Sequence, residues 1–257
     1  MSHRIGKRTI CFKNRPVIKS YCSAVGKKES EGPLTDEFDK VFKDDTLGQS
    51  SFEKAESELQ REAVLGALKK CGLKPESIDE IFAGDLLNQC IGSSFGLRDL
   101  EIPFIGLYGA CSTMALSLIN AAVHVDSGVA LNAIAVTSSH FCSAERQYRF
   151  PLEYGAQRPP TAQWTVTGSG AVLLSNEGNG AYIHSATVGR IIDLGIKDAN
   201  NMGAAMAPPD VKIRPYPLGY VVRDLDLFSV VISALTVLKM LEIQISISPL
   251  FALPKQK

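Results

Sequence analysis

Five residues, Gly109-Ala110-Cys111-Ser112-Thr113, hold the arrangement in this chain best suited to chemistry. They lie between a short apolar run, Ile102 to Tyr108, and a longer one, Met114 to Val125. A strand-length run, a small-residue turn and a helix-length run predict a strand-turn-helix unit. Cys111 then stands at the mouth of a helix, where unpaired amide N–H groups and the positive end of the helix dipole stabilise a thiolate. That placement suits covalent acyl transfer by a cysteine nucleophile, or a polar anchor at a pocket floor. The plainer reading is a small buried hydrophobe, and a nucleophile also needs an adjacent base.

Four histidines are available: His3, His124, His140 and His184. His140 follows a predicted strand, Ala130 to Thr137, and ligands of α/β proteins gather at strand ends, so it is the candidate base or ligand donor. His3 is terminal, His124 reads as a satisfied core residue on the central helix, and His184 alternates within a surface strand. Cysteine spacing offers no C-x-x-C pair for a metal. The run Thr167-Gly168-Ser169-Gly170-Ala171 lacks the lysine of a phosphate loop and reads as close packing by glycine. No cofactor and no metal are expected.

The positioning elements follow from periodicity. Ser50 with Glu53 has capping-box spacing, and Ala55, Leu59, Ala63 and Ala67 repeat at one-turn intervals up to Gly72 and Pro75. Glu80 to Ala83 reads as a short strand and Gln89 to Leu97 as weakly helical. The Met114 helix is apolar nearly all round, as a helix between two sheets would be. Ala171 to Ser175 and Tyr182 to Val188 read as a hairpin across Glu177-Gly178-Asn179-Gly180. Residues 1 to 50 read as an N-terminal strand and a surface excursion. The order β-α-β-α-β-β gives an α/β fold with a mixed sheet and helices on its faces.

The 257 residues carry a formal net charge of zero with 21% charged side chains, which points away from nucleic acid as a partner. The start lacks the form of a signal peptide, so the six cysteines read as reduced thiols of a cytoplasmic protein. Beyond Pro208-Pro209 the composition changes: of 21 glycines only Gly219 lies there. Two units are expected, 1–208 as the folded domain and 209–257 as an atypical tail, read as a frameshift. The apolar stretch Leu227 to Leu238 is too short for a confident membrane span.

From Ile5 to Pro208 the sequence resembles the stage V sporulation protein AD family. The residues that carry this are Gly6-Lys7-Arg8-Thr9-Ile10, Gly106-Leu107-Tyr108-Gly109-Ala110-Cys111-Ser112-Thr113-Met114 and Thr137-Ser138-Ser139-His140-Phe141. To these add Ala144 to Gly155 and Pro159 to Ala171. The resemblance implies a thiolase-like N-terminal half, with the second half largely missing after Pro208. It implies binding of dipicolinic acid (pyridine-2,6-dicarboxylate) and help in its uptake into the developing spore, beside membrane proteins of the same sporulation operon. Such a protein is cytoplasmic or peripheral at the inner spore membrane. The fold also allows a homodimer through a sheet edge. A dicarboxylate suits the planar guanidinium of arginine, and Arg146, Arg149 and Arg158 lie with Tyr148, Tyr154 and Trp164 in one loop. The expected ligand-binding set is Cys111, His140, Arg146, Arg149 and Tyr154. The alternative is a ketoacyl-synthase-like acyltransferase using Cys111, although the catalytic partners of such enzymes come from the absent half.

Overall fold

A computed structural model describes residues 3–148, 165–189, 195 and 197, and the backbone of 244–248, leaving the side chains of 111 and 145–148 aside. Ten strands form one sheet. In chain order they are β1 (His3–Ile5), β2 (Thr9–Cys11), β3 (Val17–Val25), β4 (Lys40–Val41), β5 (Glu80–Gly84), β6 (Phe104–Gly106), β7 (Asn132–Ser139), β8 (Gly168–Ser175), β9 (Tyr182–Thr187) and β10 (Gln244–Ser248). Across the sheet the order is β1-β2-β9-β3-β8-β7-β5-β6, with β4 beside β3 and β10 beside β9. β5 runs parallel to both β6 and β7, whereas β8 is antiparallel to β7 and β3. The sheet is therefore mixed, as expected.

Helices cover both faces, and the pleat divides each strand between two cores. α1 (Phe52–Cys71) packs with Ile81, Ala83, Ile134, Val136, Ala171 and Leu173. α3 (Thr113–Ser127) takes the alternate positions Phe82, Ala133, Ala135, Val172 and Leu174 on the other face. Strands buried on both faces read as continuous apolar runs, which is how Ala133 to Val136 and Ala171 to Leu174 appear.

Small residues let α1 lie close. A Cβ on Gly66 would run into the Cys22 sulfur. The short α2 (Ile91–Leu97) crosses α1 through Gly96, where a Cβ would come 2.5 Å from the Ser57 carbonyl. Ser57 Oγ also donates to the Gly92 carbonyl at 2.9 Å. The N-cap of α1 is Ser51, whose hydroxyl accepts from Lys54 N, rather than Ser50, whose hydroxyl accepts from Lys54 Nζ. Gly72 closes the helix at φ +72°, as its place in the sequence predicts.

Two expectations are overturned. β8 and β9 are no hairpin: β3 stands between them, pairing with β8 along its length and with β9 at Val17–Tyr182. The first 50 residues are also more than one strand and an excursion, because nine-residue β3 is a central strand. The Gly-Asn-Gly turn is a sound hairpin signal, but β8 is paired along both edges, by β7 and β3, which leaves it no edge for β9. The stretch from Gly26 to Ser50 does run over the surface. It is tied down where Asp39 Oδ2 accepts from Ser23 N at 2.9 Å and Glu29 Oε1 accepts from Thr167 N at 2.9 Å. Residues 209–243 and 249–257 of the tail lie outside the described residues, and 244–248 pair antiparallel with β9.

The end of β5 makes the tightest approach near the Cys111 turn. A Cβ on Gly84 would overlap the Leu107 carbonyl and meet the Thr113 methyl at 2.5 Å. Gly84→Ala is expected to cost about 1–3 kcal/mol by overpacking. Urea denaturation of variant and parent would check this, since equal midpoints would mean that the turn yields freely.

Candidate functional site

β5, β6 and β7 are parallel neighbours, so their C-terminal ends open on one side of the sheet. Three polar turns leave from there: Asp85 to Cys90 after β5, Leu107 to Ser112 after β6, and His140 after β7. The second and third exit two strand spacings apart, roughly 10 Å.

The Cys111 turn has the predicted strand-turn-helix form. Ala110 to Ser112 make a single 3₁₀ turn that runs directly into α3. Ala110 adopts φ +46°, a left-handed conformation costly for a residue with a Cβ, so the surrounding bonds must hold it. Ser112 Oγ donates to the Gly109 carbonyl at 2.6 Å, and Thr113 Oγ1 donates to the Ala110 carbonyl at 2.7 Å. Thr113 Oγ1 also accepts from Gly109 N at 3.2 Å. No described side chain caps α3, which leaves its first amide groups facing the turn.

The neighbouring turn is strained too, with Gln89 at φ +60° and Cys90 at φ +53°. Buried Asp85 organises it. Its Oδ1 accepts from Leu87 N at 2.9 Å, and its Oδ2 accepts from Ser93 N at 2.7 Å and Ser93 Oγ at 2.6 Å. The Cys90 thiol lies 3.4 Å from the Leu107 carbonyl, linking this turn to the next.

His140 stands at the predicted strand end, but it is fully buried. Its Nε2 donates to the Asp45 carbonyl at 2.7 Å, and its Nδ1 accepts from Cys142 N at 3.2 Å. Phe141 stacks on the ring at 5.1 Å between centroids and Phe52 tilts against it at 5.2 Å. Both nitrogens are thus engaged by backbone, and the neutral tautomer with hydrogen on Nε2 satisfies both bonds. Desolvation holds its pKa below the ordinary histidine value. As placed, His140 fastens the surface excursion to the end of β7. His124, expected in the core, is only partly buried, with its Nδ1 2.6 Å from Glu80 Oε2 and its ring edge-on to Phe82.

Arg146 belongs to α4 (Phe141–Tyr148), the helix that leaves the end of β7. Its side chain is not described, and Arg149, Tyr154, Arg158 and Trp164 lie outside the described residues. An open cleft of about 250 Å³ lies between the excursion and Phe141, Thr165 and Thr167. Lys27 and Lys28 line it together with Glu29, Glu31 and Asp45, so its charges nearly balance and do not select an anion.

A buried polar cluster escapes sequence reasoning. Glu56 and Gln60, one turn apart on α1, are both fully buried. Glu56 Oε1 accepts from Ser138 Oγ at 3.1 Å, and its Oε2 accepts from Ser143 Oγ at 2.6 Å. Gln60 Nε2 donates to the Gly84 carbonyl at 3.2 Å. The signal was present in the sequence, because Glu56 and Gln60 continue the alanine stripe Ala63 and Ala67 at helical spacing.

Residues 6–233 match the stage V sporulation protein AD family. The chain belongs to that family. Over 203 residues it is 47% identical to the stage V sporulation protein AD of Bacillus subtilis (strain 168), covering 79% of this chain and 60% of that protein. The chain thus spans about three fifths of the length of that curated relative. Among solved structures it is similar to 3-oxoacyl-[acyl-carrier-protein] synthase III from Aquifex aeolicus VF5, at 16% identity, TM-score 0.45, over 65% of this chain and 56% of the other. It is also similar to an OleA variant of Xanthomonas campestris, at 14% identity, TM-score 0.48, over 70% and 63%.

The bonds of His140 have a measurable consequence. A histidine whose folded pKa is lowered contributes stability above its unfolded value, lost as pH falls through about 6.5 toward the folded value. His140→Ala is expected to cost about 1–3 kcal/mol at neutral pH by leaving the Asp45 carbonyl and Cys142 amide unpaired. The gap between parent and variant should narrow as pH falls from about 7 to about 5. Thermal melts across that range would show it, and a constant gap would mean that His140 does not titrate below its ordinary value.

Proposed function

We propose that this protein is a sporulation protein that binds dipicolinic acid and aids its uptake into the developing spore, without acyl-transfer catalysis. Its membership of the stage V sporulation protein AD family carries this reading. The site chemistry is compatible with it. Helix α4 brings Arg146 out of the sheet end that also holds the Cys111 turn, and Arg149 follows within the same segment. Two guanidinium groups can each hold one carboxylate of a planar pyridine dicarboxylate through paired hydrogen bonds. In this reading Cys111 and Tyr154 complete the binding set, with His140 holding the wall behind it. The protein acts with membrane proteins of the same operon, from the cytoplasm or the inner spore membrane. No helix among the described residues is long and apolar enough to cross a membrane.

Calorimetric titration with dipicolinate tests the reading, on this chain and on a full-length relative. Binding by both, weakened at least tenfold in Arg146→Ala or Arg149→Ala, is the expected result. No heat from the relative would remove the binding assignment. A mass gain on Cys111 after incubation with acyl-CoA, lost in Cys111→Ala, would favour the acyltransferase instead.

The same reading includes a homodimer. Among the described residues β6 pairs with a neighbour on one side only, and Phe95, Phe104 and Tyr108 lie on or near that edge at 57%, 40% and 55% exposure. An unpaired edge beside exposed aromatic residues favours self-association. Light scattering after size exclusion is expected to give a dimer, and Phe104→Asp a monomer; a monomeric parent would remove the dimer from the proposal.

A further inference from the structure

Glu56 is the buried ionisable group that the reading above does not use. Its carboxyl sits where three elements meet: α1, which carries it, the end of β7, which supplies Ser138, and the first turn of α4, which supplies Ser143. Ser143 Oγ also lies 3.2 Å from the His140 carbonyl, so this one hydroxyl ties α4 both to Glu56 and to the strand end. The charged groups that act on Glu56 are Asp85, from the turn after β5, and Glu53, from its own helix. Both are acidic. Among the described side chains no cation lies within ion-pairing distance of it, and a buried carboxylate without one is costly.

A second observation concerns Gln60. Its amide nitrogen is used by the Gly84 carbonyl, but its Oε1 is fully buried with no donor. Residues four apart on a helix are neighbours, so the Glu56 and Gln60 side chains share one face of α1. Ionised, that carboxyl can only accept hydrogen bonds; protonated, it also has one to give. The acceptor that lacks a donor and the acid that lacks a cation satisfy each other when Glu56 carries its proton.

We propose that Glu56 is a proton-operated latch on α4: the neutral acid donates to Gln60 Oε1, accepts from Ser138 and Ser143, and holds the first turn of α4 to the sheet. Loss of the proton to solvent leaves a buried carboxylate facing Asp85 and an unpaired Gln60 oxygen. Water must then reach the cluster, and the movable wall is α4. It has eight residues, whereas α1 is packed along twenty and β7 lies inside the sheet. Burial, the largest cause, and Asp85 both push the Glu56 pKa up, to about 7, which puts the transition in the neutral range. The latch stands independently of what the protein binds, although α4 is the helix that carries Arg146.

The sign of the effect follows. A carboxyl with a raised folded pKa favours the closed state fully below its ordinary value, and that advantage is lost as pH rises through the folded value. Opening of α4 should therefore increase by up to about tenfold per pH unit between about 4.5 and about 7, then level off. Amide hydrogen exchange of residues 141–148 in the 257-residue chain, corrected for intrinsic base catalysis, measures this against α3 as an internal reference. The rise is expected in the parent and absent in Glu56→Gln, whose amide can give Gln60 a hydrogen at every pH. The same pH profile in both proteins would overturn the latch. Should the variant fail to fold, carbon-13 glutamate NMR of the parent decides: one carboxyl titrating near neutrality together with the α4 amides supports the latch. All glutamate carboxyls titrating below about pH 5 would end it.

Discussion

The structure depends on a sheet that is buried on both faces. Because α1 and α3 cover opposite sides, the middle residues of β5, β7 and β8 are apolar or very small, and no polar side chain can leave the middle of a strand without a partner. Polar groups are therefore driven to strand ends. There the parallel set β6, β5, β7 delivers them to one side, where amide groups left open by α3 and the turn hydroxyls can pair with them. The location of the candidate site follows from this covering.

Close packing then sets the detail. Gly84 lets the end of β5 approach the Leu107 carbonyl, three residues before Ala110 takes a positive φ. Asp85, the next residue, uses both carboxyl oxygens to shape the neighbouring turn. Strain at Ala110, Gln89 and Cys90 is thus held by adjacent bonds. Such strain is a feature of binding and catalytic turns. The histidine at the strand end is held as firmly, with both ring nitrogens committed to the backbone.

Two opposed titrations meet at the start of α4. His140 prefers to be neutral and Glu56 prefers to be protonated, both through burial, and the two lie on either side of Ser143. Acid therefore loosens one support of this helix and alkali the other, which leaves a band of pH in which α4 is held from both directions. Helix α4 carries Arg146, and the segment after it carries Arg149 and Arg158.

Much of this was legible in the residue order. The alanine stripe with Gly72 predicts α1, the small-residue turn predicts the entry to α3, and the apolar runs predict β7 and β8, because each depends on neighbours within one or two turns of chain. The motifs around Cys111 and His140 also suffice to suggest the family. Tertiary structure alone decided which strands are neighbours. β3 displaces a hairpin that the Gly-Asn-Gly turn favours locally, since pairing energy between strands far apart in sequence leaves no local pattern. It also decided the roles of polar residues. Glu56 looks like a surface glutamate until Ser138, eighty-two positions away, is brought against it, and His140 looks like a free ligand until Asp45 folds over it. A side chain's chemistry depends on what surrounds it, and those surroundings are assembled by contacts that the local sequence does not record.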